Sequence, residues 1–99
     1  MVRHIVMLNY KEGLSPAANR KNAEQVKRLL EDLRKTIPGI LEFTVVIDPL
    51  PTSDKDLALN ALFESDEAFA AYQVHPDLLR LASFAASVMQ DKVSIDYRE

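Results

Sequence analysis

Apolar and polar positions alternate from Val2 to Tyr10, with Val2, His4, Val6, Leu8 and Tyr10 on one side and Arg3, Ile5, Met7 and Asn9 on the other. A period of two is the mark of a β-strand. Both sides are apolar at the centre, Val6 and Leu8 against Ile5 and Met7, so this strand expects cover on both faces. A turn over Lys11–Leu14 contains Gly13, and the period then changes. Ser15-Pro16 is a helix start, with serine as cap and proline at the first helical position. Ala23, Val26, Leu30, Leu33 and Ile37 follow at spacings of three and four, with Leu29 widening the stripe. On the outer face Glu24 can pair with Arg28 and Glu31 with Lys35. Pro38-Gly39 ends the helix.

Alternation returns twice, in Ile40–Asp48 and in Asp56–Glu64, across a loop containing Pro49, Pro51 and Asp54. The second of these strands runs into the stretch that organises the chain, Leu57–Pro76, where strand switches to helix. Ser65 caps that helix, and Asp66 and Glu67 place negative charge in its first turn, where the helix dipole favours it. Pro76 stops the helix and restricts the backbone of His75. Tyr72 and His75 are three apart, so they are expected on one face at the helix end, and a chemical site is expected there. A last helix carries Leu79, Ala82, Ala86 and Met89, with Leu78, Leu81, Ala85 and Val88 beside them. Lys92–Tyr97 is the final strand, with Val93, Ile95 and Tyr97 opposed to Ser94 and Asp96.

The order β-α-β-β-α-β predicts one α+β domain over residues 1–99, a split βαβ arrangement with helices on one face of an antiparallel sheet. The other face is left to Ile5, Met7, Val46, Leu62, Val93, Ile95 and Tyr97. At about 1.5–3 kcal/mol for each fully buried large apolar side chain, exposing seven would forgo roughly 10 kcal/mol as an upper bound. A second copy of the same sheet is the simplest cover, so a homodimer through the open sheet faces is expected.

Composition narrows the function classes. The formal charge of −3 is spread without a run of five like charges, so no nucleic-acid footprint is expected. The absence of cysteine removes disulfides, thiolate nucleophiles and iron–sulfur clusters. Nothing approaches the ~20 apolar residues of a membrane span, and Ile5–Leu8 is too short for a signal-peptide core. No membrane association and a cytoplasmic location are expected. The two histidines are far apart in sequence, without local ligand spacing, so neither a metal nor another cofactor is expected. No Ser-His-Asp set, phosphate loop or carboxylate pair stands out, and no catalytic residue is assigned. The candidate ligand-binding residues are His4, Leu59, Ala61, Tyr72 and His75, converging between sheet and helices beside Val6 and Leu8. Three of them have a plainer reading: His4 as a core histidine with one hydrogen bond, Tyr72 as a core aromatic, His75 as a brace at the helix break.

Five segments in order carry a resemblance: His4-Ile5-Val6, Ile37-Pro38-Gly39-Ile40, Phe63-Glu64-Ser65, Tyr72-Gln73-Val74-His75-Pro76 and Asp96-Tyr97. With them, nearly the whole chain resembles the stress-responsive dimeric α/β-barrel (Dabb) proteins. The resemblance implies a ferredoxin-like subunit whose open sheet meets its twin to form a barrel. In the cyclase-type members of that family a tyrosine, a first-strand histidine and a histidine three residues after that of the His-Pro pair do the chemistry. Tyr72 and His4 match the first two, but Leu78 stands at the third. Leucine cannot accept a proton, so ring closure of polyketide-like substrates is not expected. Three functions remain: a dimer binding a small apolar or aromatic molecule, an enzyme of the polyketide cyclase or cofactor-free monooxygenase or lyase type, and a ligand-free stress or assembly protein. An open pocket would favour the first two, and a filled one the third.

Overall fold

The computed structural model describes residues 1–99. Strand β1 (Val2–Tyr10) lies inside the sheet, between two neighbours. Helix α1 (Pro16–Thr36) follows, with Ser15 Oγ accepting from the Ala18 N–H at 3.1 Å and proline in its first turn. It ends at Ile37, which is extended because Pro38 disfavours helical backbone before it. Strands β2 (Ile40–Val46) and β3 (Leu57–Phe63) come next, then α2 (Asp66–Gln73), α3 (Pro76–Val88) and β4 (Met89–Arg98). The sheet order is β2-β3-β1-β4, and every neighbouring pair is antiparallel. This is the ferredoxin-like βαββαβ fold, with the second helical unit split in two.

Eighteen buried apolar residues form one core between the helices and one sheet face, with Phe63, Leu57 and Val26 its largest fully buried members. Gly39 turns the chain into β2 with φ +87°, a left-handed conformation that costs glycine nothing. A Cβ there would also stand 2.6 Å from the Ala68 Cβ, so α2 can sit close against the turn only because residue 39 has no side chain.

The strands are cut slightly differently from their periodicity. β2 stops at Val46, although Ile47 remains buried beyond it. β4 starts at Met89, three residues before the expected Lys92. Met89 does two jobs: its N–H closes the last turn of α3 on Ala85, while its own backbone is already extended. Asp91 then takes φ +57°, close to a break in the β1–β4 register between Met7 and Asn9. The irregularity interrupts the alternation that would have marked the start of the strand.

Three other expectations are corrected. Tyr72 and His75 do not share a helix face. Val74 leaves the helix at φ −112°, ψ 5°, and Pro76 holds His75 extended at φ −65°, ψ 134°, so the chain turns before His75 can complete a helical turn. Leu62 is not part of an exposed patch: it is 6% exposed, although it points to the outer face. Its cross-strand neighbours there are Arg3 and Glu42, and the 2.9 Å ion pair between those two passes over it. On α1, Glu24 pairs with Arg20 at 3.4 Å, because Arg20 also reaches Asp48 beyond β2. Lys35 pairs with Asp32 at 3.1 Å, an i,i+3 neighbour as well placed as Glu31.

The rest of the outer sheet face is open. Ile95 is 58% exposed and Val93, Tyr97 and Val46 about two-fifths exposed, a continuous apolar surface beside the Arg3 ion pairs. No helix is long and apolar enough to cross a membrane.

Candidate functional site

The break at His75-Pro76 redirects the chain, and α3 packs against α1. Between α3 and the helix-facing side of the sheet lies a cavity of about 540 Å³. Its wall is built from β1 (His4, Val6, Leu8), β3 (Leu57, Leu59), α1 (Val26, Leu30) and α3, with Tyr72 and Gln73 from the end of α2. Along α3 the residues facing it include Ala82, Ala85 and Ala86, whose small side chains leave the space that leucines would fill. The residues Met89–Lys92 at the start of β4 complete the wall. Fourteen of its nineteen residues are hydrophobic, so a polar ligand group would find few partners, and those few define its position.

His4 is the one polar residue among the buried set. Its Nδ1 is hydrogen-bonded to Asp96 Oδ1, directly across the β1–β4 ladder. A carboxylate can only accept, so Nδ1 carries a proton, and in the neutral imidazole Nε2 then keeps the lone pair. Aromatic rings fix the imidazole: Phe69 at 5.0 Å between centroids, and Tyr72 edge-on at 6.1 Å. Tyr72 is itself held by Phe63 at 4.8 Å and Phe43 at 6.0 Å. Its hydroxyl makes no hydrogen bond within the protein, and burial pushes it well above the ordinary phenol value of about 10. A neutral phenol with a free O–H is a hydrogen-bond donor to whatever oxygen enters the cavity. Together the residues offer one oriented proton acceptor and one donor in an apolar space.

Of the candidates taken from sequence, His4, Leu59 and Tyr72 stand in the cavity wall. Ala61 does not: it lies opposite His4 on β3, fully buried in the core. Nor does His75, whose Nδ1 accepts the Asp77 N–H at 3.1 Å and caps α3. Leu78 does line the cavity, adding apolar surface where an imidazole would add a base. The residue that sequence reasoning missed is Asp96. Its signal was the polar alternation of β4, but its partner follows from the antiparallel register, which pairs residues ninety-two positions apart. No group of three or more histidine, aspartate or glutamate side chains is arranged to hold a metal ion.

The chain belongs to the stress responsive A/B barrel domain (Dabb) family, whose pattern it matches over residues 2–99. No protein of curated function matches it by sequence. Among solved structures it is similar to a dimeric ferredoxin-like protein of unknown function from Bacteroides fragilis, at 20% identity and TM-score 0.90 over 99% of this chain and 95% of that one. A dimeric ferredoxin-like protein of unknown function from Thermobifida fusca matches at 26% identity and TM-score 0.83, over 99% and 90%. A hydroxynitrile lyase from Passiflora edulis matches at 26% identity and TM-score 0.79, over 97% and 90%.

The raised Tyr72 hydroxyl has a consequence for stability. In the unfolded chain the phenol ionises near pH 10, whereas in the fold it keeps its proton to higher pH. Below pH 10 both states hold the proton and nothing is lost; above it the unfolded state holds fewer, so stability falls as pH rises. Tyr72→Phe removes this loss and no internal hydrogen bond. Urea unfolding at pH 8 and pH 11 is expected to show the variant gaining about 1 kcal/mol on wild type between the two. The same stability gap at both pH values would show that the hydroxyl is not buried in this way.

Proposed function

We propose that this member of the stress responsive A/B barrel family binds a compact apolar or aromatic molecule in the cavity beneath α3. The observation that carries the reading is the cavity itself, about 540 Å³ with an apolar wall and His4 and Tyr72 as polar groups held by their neighbours. The cavity opens to solvent where Leu79, Ala82 and Lys92 are exposed, so a small molecule has a way in, and the apolar wall behind gives it surface to cover. Ligand pockets typically measure ~300–1,000 Å³, and this one lies within that range. The neutral dye N-phenyl-1-naphthylamine is expected to bind wild type with enhanced fluorescence. Ala82→Trp, which projects an indole into the cavity from α3, should weaken that binding at least about tenfold while leaving the thermal midpoint near wild type. Equal binding by the two proteins would place the dye elsewhere and overturn the reading.

The functional unit in this proposal is a homodimer joined through the outer sheet faces. Two observations support it: the exposed Val93, Ile95 and Tyr97 form an apolar surface, and the similar Bacteroides and Thermobifida proteins are dimeric. Light scattering at micromolar concentration is expected to give twice the chain mass, and Ile95→Asp, which would bury an unpaired carboxylate, should halve it or unfold the protein. A folded wild-type monomer at that concentration would sink the dimer.

A second reading, that the cavity also carries out proton transfer, is favoured by the His4–Asp96 pair. Asp96 holds the imidazole with Nε2 as acceptor, and the Tyr72 hydroxyl can donate to an oxygen that gains charge as a neighbouring C–H loses its proton. The similar Passiflora protein, a hydroxynitrile lyase, supports an enzymatic role for this fold. The structure-based assay is exchange of the α-protons of phenylacetone in D2O, followed by proton NMR. Wild type should accelerate it, and Asp96→Asn, which removes the carboxylate that fixes the tautomer, should cut the enhancement by about 10²-fold. Exchange that is no faster with wild type than with buffer would remove this second reading and leave the binding one intact.

A further inference from the structure

The side chains of β4 that face the helices are Lys92, Ser94, Asp96 and Arg98, all polar, on the side where the rest of the sheet carries the hydrophobic core. Two of the three charges are already matched. Asp96 holds His4, and Arg98 Nη2 holds Asp66 at 2.6 Å. Lys92 is different: it lines the cavity, and no carboxylate pairs with it. The adjacent acid, Asp91, is tied to the Asn9 side-chain amide at 3.4 Å. The left-handed turn at Asp91 (φ +57°) sets the alternation of the strand so that Lys92 falls on the cavity side while Val93 joins the outer face.

We infer that Lys92 selects ligands with an anionic end, so that the cavity takes an apolar chain or ring bearing one carboxylate. The inference rests on the cavity being a binding site and names the class of molecule it holds. The wall holds one ammonium and no arginine, and its one carboxylate, Asp91, is engaged by the Asn9 amide, so the anion that fits is a single carboxylate rather than a phosphate dianion. Four residues of strand separate Lys92 from Asp96, about 13 Å, so the two ends of the ligand meet different chemistry. The carboxylate rests at the exposed lysine, and the apolar body runs over Leu8 and Val6 toward His4 and Tyr72. Any group that His4 and Tyr72 act on is therefore at the end remote from the carboxylate.

A matched pair of ligands tests this by calorimetry: 6-phenylhexanoate and 6-phenylhexanol, which share the ring and chain and differ in charge. Wild type is expected to bind the acid about two- to fivefold tighter than the alcohol, with the preference reduced at about 0.5 M salt. Lys92→Met should bring the acid down to the level of the alcohol, and Lys92→Glu should make the alcohol the better ligand. Far-UV circular dichroism and a thermal midpoint near wild type in both variants report that the fold is intact. A preference for the acid that survives Lys92→Met, or equal binding of both by wild type, overturns the role of Lys92 and leaves the cavity reading standing. Binding of neither ligand by wild type removes the cavity reading and this inference with it.

Discussion

One backbone constraint shapes the functional half of this protein: a residue before proline cannot easily stay helical. At His75-Pro76 that rule splits what would otherwise be a single crossover helix. His75, held extended, turns its ring back to cap the new helix through Asp77, so the break repairs itself locally. The new axis carries α3 against α1, and its alanines leave open the space below. A continuous helix would have no reason to change direction at this point. Tyr72, in the last turn before the break, then stands where the wall of that space meets the aromatic cluster.

The second constraint is the use of both sheet faces. β1 is apolar on both sides: the helices cover one, and the other, with Ile5 and Met7, continues into the open apolar surface of β4. β4, at the sheet edge, has the opposite arrangement to a simple edge strand: its apolar residues face outward and its polar residues face the helices. An isolated ferredoxin-like domain would gain nothing from exposing Ile95 while directing Asp96 inward. With the outer face covered and the inner side open to a cavity, both choices lower the free energy. Asp96 is the polar inward residue with a buried partner, and it accounts for the presence of a histidine in an otherwise apolar core.

Electrostatics at the site follow from this placement. Carboxylates are acceptors only, so Asp96 determines which nitrogen of His4 is protonated. Tyr72 lies among rings that offer its hydroxyl no acceptor, and desolvation keeps it neutral. Leu78 lies in the same wall without a titratable group. Proton transfer in this cavity would therefore depend on one imidazole and one phenol.

The local code of the chain was legible from the residues alone. Alternation marked the strands, and Ser15-Pro16 and Ser65 marked the helix starts. These features depend on neighbours within a few positions, which is why a sequence shows them. What the tertiary structure decided depended on register and on side-chain reach. Leu62 reads as an exposed apolar residue until Arg3 and Glu42, thirty-nine positions apart, are seen to close over it. His75 reads as a partner of Tyr72 until the prolyl constraint turns it out of the wall. Asp96 reads as one polar residue in an edge strand until the antiparallel pairing brings it to His4. Strand pairing and helix direction are set by the sum of many weak burial terms across the whole chain, and no local window contains them.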